Sequence, residues 1–166
     1  MEAGERWVLN DVAGNSLYAW DSRGHRFRTA YDSLRRLTDS FLQGEGTELL
    51  VAHTTYGDTQ PDPEINNLRG KVVQLFDQAG VVTSNEYDFK GNALSSQRQL
   101  ASGYKTTLDW TGDVPLEAGV YTSRNRYDAL NRAIQLVAPH ASRPGANINV
   151  IQPIYNEANL LEQMHA

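Results

Sequence analysis

Short pentads recur along this chain, and their spacing limits what it can fold into more than any other feature. Phe76-Asp77-Gln78-Ala79-Gly80 is followed by Tyr87-Asp88-Phe89-Lys90-Gly91, with the two aspartates 11 residues apart. Trp20-Asp21-Ser22-Arg23-Gly24 and Tyr31-Asp32-Ser33-Leu34-Arg35 repeat the pairing at the same interval of 11 residues. Tyr127-Asp128-Ala129-Leu130-Asn131 and Tyr155-Asn156-Glu157-Ala158-Asn159 follow later. Six related pentads in 166 residues mark a repeat protein, in which each unit buries apolar surface against its neighbours.

The pentad has a physical purpose. An aspartate opening a β-turn accepts hydrogen bonds from backbone N–H groups further along. The last position must tolerate φ > 0, which glycine does freely and asparagine best among the rest. A type I turn followed by a left-handed residue is a common short hairpin connection. Gly24, Gly80 and Gly91 fit it, Asn131 and Asn159 substitute, and Arg35 is the exception where the pattern supports a hairpin turn least. The aromatic residue before the aspartate falls at a strand end, where it packs across the pleated surface.

Between the pentads the chain reads as strands. Residues 71–76 and 81–87 are the best pair, β-branched and joined by the Asp77–Gly80 turn. Residues 7–11, 17–20, 26–31, 47–55, 97–107, 108–110, 120–127, 132–137 and 148–155 continue the pattern, the last before a degenerate pentad and a short tail. Within 33–42, Leu34, Leu37, Phe41 and Leu42 fit a helical stripe, but a hairpin repeat requires strand there. Loops are expected at 57–64, 115–119 and 139–147 from their proline, glycine and aspartate content. There is no βαβ alternation, so the expected fold is all-β, antiparallel, hairpin after hairpin.

Composition narrows the function classes. Hydrophobic residues make up 40% and charged residues 21%, a globular balance. A formal charge of −5 argues against a general nucleic-acid binder. Cysteine is absent, so there is neither a disulfide framework nor a thiolate metal site. No apolar run approaches the roughly 20 residues of a membrane-spanning helix. The start, Met1-Glu2-Ala3-Gly4-Glu5-Arg6, lacks the basic region and apolar core of a secretory signal.

No catalytic constellation stands out. His25, His53, His140 and His165 lack a partner at zinc-ligand spacing. Asp58, Asp62 and Glu64 could gather round calcium, but the alternating ligand loop is missing and a solvated acidic loop accounts for them. Asp77 with Asp88, or Asp21 with Asp32, could be paired hydrolytic carboxylates, yet turn capping already explains each one. There is no nucleophile elbow and no phosphate-binding glycine loop. Trp7, Trp20, Trp110, Tyr104 and Tyr121 could form a sugar-stacking face, although packing is the commoner role of such rings. Catalytic, cofactor-binding and metal-binding residues are therefore all expected to be none, and the chain is expected not to be an enzyme.

The pentads with their trailing residues, as in Tyr87 to Leu94 and Tyr127 to Arg132, resemble the tyrosine–aspartate (YD, or RHS) repeats of bacterial polymorphic toxins. The stretch from Asn67-Leu68-Arg69-Gly70 to Gln97-Arg98-Gln99-Leu100 is similar to the B and C components of Tc insecticidal toxin complexes. That resemblance covers the chain from about Trp7 onward. It implies a strip of antiparallel hairpins that spirals into a hollow shell around a toxic polypeptide. It implies as partners flanking shell segments, other toxin-complex subunits and the enclosed toxin, and a secreted or cell-surface location. The self-cleaving Asp-Pro-x-Gly core of such shells is not found here, so no protease residue carries over. Residues 1–166 are expected to be one repeat region and a fragment of a longer shell, with a carbohydrate- or cell-surface-binding module as the alternative.

Overall fold

A computed structural model describes residues 4–166; Met1 to Ala3, part of the start read for a secretory signal, lie outside the described residues. Twelve strands follow one another: β1 (Arg6–Asn10), β2 (Ser16–Asp21), β3 (Arg26–Tyr31), β4 (Leu37–Gln43), β5 (Leu49–Tyr56), β6 (Val72–Asp77), β7 (Gly80–Tyr87), β8 (Ala93–Ala101), β9 (Leu116–Tyr127), β10 (Ala133–Ala141), β11 (Val150–Tyr155) and β12 (Leu161–His165). They form a single open antiparallel sheet in chain order, with β1 and β12 as its edges. No α-helix occurs among the described residues, and Gly57–Thr59 forms a 3-10 turn.

Because each strand pairs with the next, every connection lies on one of two rims where strand ends meet. One rim carries the turns opened by Asp11, Asp32, Asp88, Asp128 and Asn156, together with the loop 57–71. The opposite rim carries the Asp21 turn, residues 44–48, the Asp77 turn, and the loops 102–115 and 142–149.

The segment 33–42 is not helical. Leu37–Gln43 pairs with β3 on one side and β5 on the other, while Leu34 of the helical stripe sits exposed in the turn. Two flanking ladders outweigh a weak local helix preference. Residues 97–110 are not continuous strand either: β8 ends at Ala101, and 102–115 is a loop. The loop expected over 115–119 is the start of β9, because Leu116 pairs with Ala101. In 139–147, Pro139 to Ala141 belong to β10; the register shift between Val137 and His140 leaves the proline at an irregularity, where its missing N–H is tolerated. Residues 148–155 are not the last strand, since the tail forms β12.

A sheet without a second layer has a thin core. Besides Pro153 of β11, the buried apolar side chains are Leu68, Val73, Val81, Ala101 and Leu108. Val73, Val81 and Ala101 come from strands β6 to β8; Leu68 and Leu108 come from the two long loops, each folded back onto the sheet. Loop 102–115 is held by the Gln78 side chain, whose amide bonds the carbonyls of Val51 (2.8 Å) and Leu108 (3.1 Å) and whose carbonyl accepts the Leu108 N–H (2.8 Å). Asp109 accepts the Leu50 N–H at 3.0 Å, and Trp110 packs edge-on against Phe76 with ring centroids 5.1 Å apart. Loop 57–71 is tied to the end of β7 through Asn67, whose amide donates to the Tyr87 carbonyl at 2.9 Å.

Candidate functional site: the aspartate rim

The repeated turn is one device used again and again. The aspartate Oδ1 accepts the N–H groups two and four residues later, as Asp88 does from Lys90 and Asn92, both at 2.9 Å. The N–H three residues on closes the turn onto the aspartate carbonyl, as Gly91 does at 2.9 Å. That third residue is left-handed throughout: Gly14 (φ 86), Gly24 (82), Arg35 (60), Gly91 (91), Asn131 (66) and Asn159 (66). Arg35, the expected exception, adopts the same turn as the rest. Its strain is offset by the full set of Asp32 bonds to the N–H groups of Leu34 and Arg36, each 2.9 Å. The turn at Asp11 is a further copy, hidden in the sequence because Asn10 stands where the others have an aromatic residue.

The Asp77 turn is not a copy. Asp77 pairs directly with Gly80, leaving a two-residue connection with Gly80 at φ 127. The Asp77 carboxylate bonds the Ala79 N–H at 2.8 Å and takes the Arg98 guanidinium of β8 in two bonds, at 2.6 and 2.9 Å.

A second layer of the device lies one residue beyond the pentad. The side chain four residues after the aspartate reaches back to its Oδ2: Asn15 (2.9 Å), His25 (3.0 Å), Arg36 (2.7 Å), Asn92 (2.8 Å) and Arg132 (2.7 Å). Asn156 has no charge to neutralise, and Leu160 stands at that position. These contacts hold the carboxyls below their usual range: in Asp11, Asp21 and Asp88 chiefly through the side chains of Asn15, His25 and Asn92, in Asp32 and Asp128 chiefly through the backbone N–H of Arg36 and Arg132. The signal lies in the sequence as His25, Arg36, Asn92 and Arg132 directly after four of the six pentads, and cutting the repeat at five residues leaves it out.

The tyrosines do more than pack. Tyr31 donates its hydroxyl to the Ser16 carbonyl (2.8 Å), Tyr56 to Leu37 (2.9 Å), Tyr155 to Ala133 (3.1 Å), and Tyr87 to Val72. Each acceptor opens the preceding strand, so the bond ties one repeat to the one before. For Tyr127 the equivalent carbonyl, that of Ala93, accepts from the Asn125 amide instead, at 3.3 Å.

Adjacent turns are also linked. Arg36 bonds Asp32, lies over the Tyr56 ring at 4.0 Å, and reaches Asp58 at 2.6 Å. Arg132 repeats this with Asp128, the Tyr155 ring at 4.7 Å, and the Asn159 side-chain oxygen at 2.8 Å. Asn92 donates to the Asn131 side chain, and the Lys71 ammonium lies against Gly91. Arg35 and Asp11 stand 3.8 Å apart. The result is a polar ladder along the rim, in which Asn131 and Asn159 serve twice, as left-handed residues and as acceptors.

The other sequence candidates are dispersed. Asp21 and Asp77 lie on the rim opposite Asp32 and Asp88, each pair separated by a whole strand; eight-residue β7 spans roughly 25 Å, too far for paired carboxylates. Asp58 is taken by Arg36 and the Gly70 N–H, Glu64 by Arg69. His25 pairs with Asp21, and His53 with Asp39 at 2.7 Å. Trp7 lies directly across from Trp20, which stacks on Tyr18; Trp110 is engaged with Phe76, Tyr104 is exposed in a loop, and Tyr121 points to the sheet face opposite Val120. These five rings form no common platform.

An open single-layer meander, coded along one rim by Tyr-Asp turns, is similar to the RHS/YD-repeat strips. Its particular likeness is to Tc toxin subunits. Toxin subunit YenC2 of Yersinia entomophaga is 26% identical over 165 residues, covering 82% of this chain and 17% of the relative. The crystal structure of TcdB2-TccC3 superposes with a TM-score of 0.75 at 23% identity, over 98% of this chain and 9% of that one. The Photorhabdus luminescens Tc holotoxin pore gives a TM-score of 0.74 at 23% identity, with the same coverages of 98% and 9%. No family model matches. The chain is Tc-toxin-like, has the RHS shell fold, and spans a small part of the length of these relatives.

Proposed function

We propose that this chain is a non-catalytic structural strip of an RHS/YD-repeat shell, which encloses a toxic polypeptide within a secreted toxin complex. Residues 1–166 then form one repeat region of a longer wall, with flanking shell segments and other complex subunits as partners. The observation that supports this most is the superposition of 98% of the chain on the TcdB2-TccC3 fold. The physics agrees with a wall: the sheet has no second layer, and its polar chemistry is spent on joining neighbouring turns. Co-expression with the toxin-like reading frames of its own genome tests the proposal. The expected result is a complex in which a second polypeptide resists protease until the wall is unfolded. A chain that assembles with none of those products and shields nothing would overturn it.

A further inference from the structure

We infer that the face of β8 to β10 beside the Asp88 and Asp128 turns carries a binding site for a small molecule with one carboxylate and an apolar body. A cavity of about 700 Å³ lies there, within the range of roughly 300–1,000 Å³ typical of small-molecule sites. Its floor is set by register. Arg124 pairs with Val137 and Arg126 with Gln135, so these four side chains share one side of the sheet. Leu94 joins them through a bulge: Glu86 pairs with Ser95 and Tyr87 with Ala93, which leaves Leu94 between them without a partner. At the rim the cavity is bounded by a link between turns, in which the Lys90 ammonium donates to the Ala129 carbonyl. Phe89, 84% exposed, stands at the same end.

Charge selects the ligand. Arg124 and Arg126 make no ion pair among the described residues, unlike Arg132 beside them, which binds Asp128 at 2.7 Å. Their Cα atoms are about 7 Å apart along β9, close enough for two guanidinium forks to converge on one carboxylate. Lys90 adds a third cation to the lining, and Glu86, Asp88 and Asp128 are its carboxylates. Because Arg132 already matches Asp128, one positive charge is left over, and a ligand with a single negative charge balances it. Glu86, two strands from Arg124 in the same cross-strand row, repels a second carboxylate. Leu94, Val137 and Phe89 supply the apolar contacts for the rest of the molecule. The site stands whether or not the strip encloses a polypeptide.

The test titrates the whole chain, labelled for amide NMR, with naphthylacetate and, in parallel, with its neutral analogue naphthylacetamide. Saturable shifts centred on residues 86–94 and 124–137 are expected with the acid. The amide should bind roughly ten- to hundredfold more weakly, the range for losing hydrogen bonds to a charged group. Arg124→Gln and Arg126→Gln, both at exposed positions, should each weaken the acid about tenfold and leave the amide unaffected. Acid and amide are compared on the unaltered chain, so that result does not depend on how the variants fold. Equal affinity of acid and amide would overturn the inference, as would unchanged binding in both variants, shifts centred on other strands, or no shifts at millimolar ligand. Tighter binding of naphthalenedicarboxylate would overturn the single charge. Tighter binding, at the same residues, of a blocked tetrapeptide with one aspartate among leucines would make the occupant a polypeptide and overturn the small-molecule site.

Discussion

The two rims of the sheet are made from the same chain by different means. On the aspartate rim, five turns are near-copies, each closed by bonds within five residues, and all but the last are linked to the following turn or loop. On the opposite rim only the Asp21 turn follows that plan. Its other connections are held by distant groups: Gln78 by Leu108 and Val51, Asp77 by Arg98, Trp110 by the Asp77 carbonyl at 3.2 Å. Local closure makes these five turns regular, although the loop 57–71 on the same rim is long. Dependence on partners far away in sequence lets the second vary in length from the two residues between Asp77 and Gly80 to the loop 102–115.

The largest expected effect tests the local closure collectively. The carboxyls of Asp11, Asp21, Asp32, Asp88 and Asp128 all lie below their ordinary value of 3.8 in the folded chain. A depressed folded value means that the stabilisation is fully present above the unfolded value and disappears as pH falls through the folded ones. Thermal midpoints should hold at neutral pH and drop steeply below about pH 4, with a shallower drop in a combined Asp32→Asn, Asp128→Asn variant. A midpoint unchanged down to about pH 2.5 would refute turn capping by these carboxylates.

Next comes a contrast of glycines. A Cβ at Gly80 would run into the Gln99 carbonyl and stand 2.7 Å from the Ala101 nitrogen, at φ 127; at Gly14, φ 86, nothing lies within 4 Å. Gly80→Ala should cost more than about 3 kcal/mol and Gly14→Ala about 1 kcal/mol in urea unfolding. Similar costs at both sites would mean that the opposite rim is no more dependent on close tertiary approach than the coded one.

Smaller still is Tyr56→Phe, which removes the hydroxyl bond to Leu37 but keeps the ring under Arg36. A loss of about 1 kcal/mol is expected, and a smaller one for Tyr127→Phe, whose acceptor carbonyl is served by Asn125. Equal losses would remove the hydroxyl from the account of repeat coupling. The smallest change is Asn131→Gly. It keeps the left-handed turn and loses only the acceptor for Asn92, at a cost of about 0.5 kcal/mol, whereas Asn131→Ala adds backbone strain and should cost more.

Much of this was legible beforehand. The turns at Asp21, Asp88 and Asp128, the antiparallel hairpins and the strand character of Leu37–Gln43 follow from the pentads and from β-branched runs. The errors fall where a residue answers to a partner that its own identity does not reveal. Arg35 looked wrong for its turn, yet Asp32 holds it there. Asp77 looked like its neighbour Asp88, but Arg98 and the direct pairing with Gly80 give it another role. The tail looked too short to count, yet β11 lies beside it as a template.

By itself the sequence determined the closure of the aspartate turns, because those bonds close within a few residues and depend only on identities at fixed spacing. Tertiary structure alone decided the opposite rim, the two loops that bury Leu68 and Leu108, and the coupling of each tyrosine to the strand before it. Those bonds join residues separated by whole strands, so they exist only once the ladder between them has set the register.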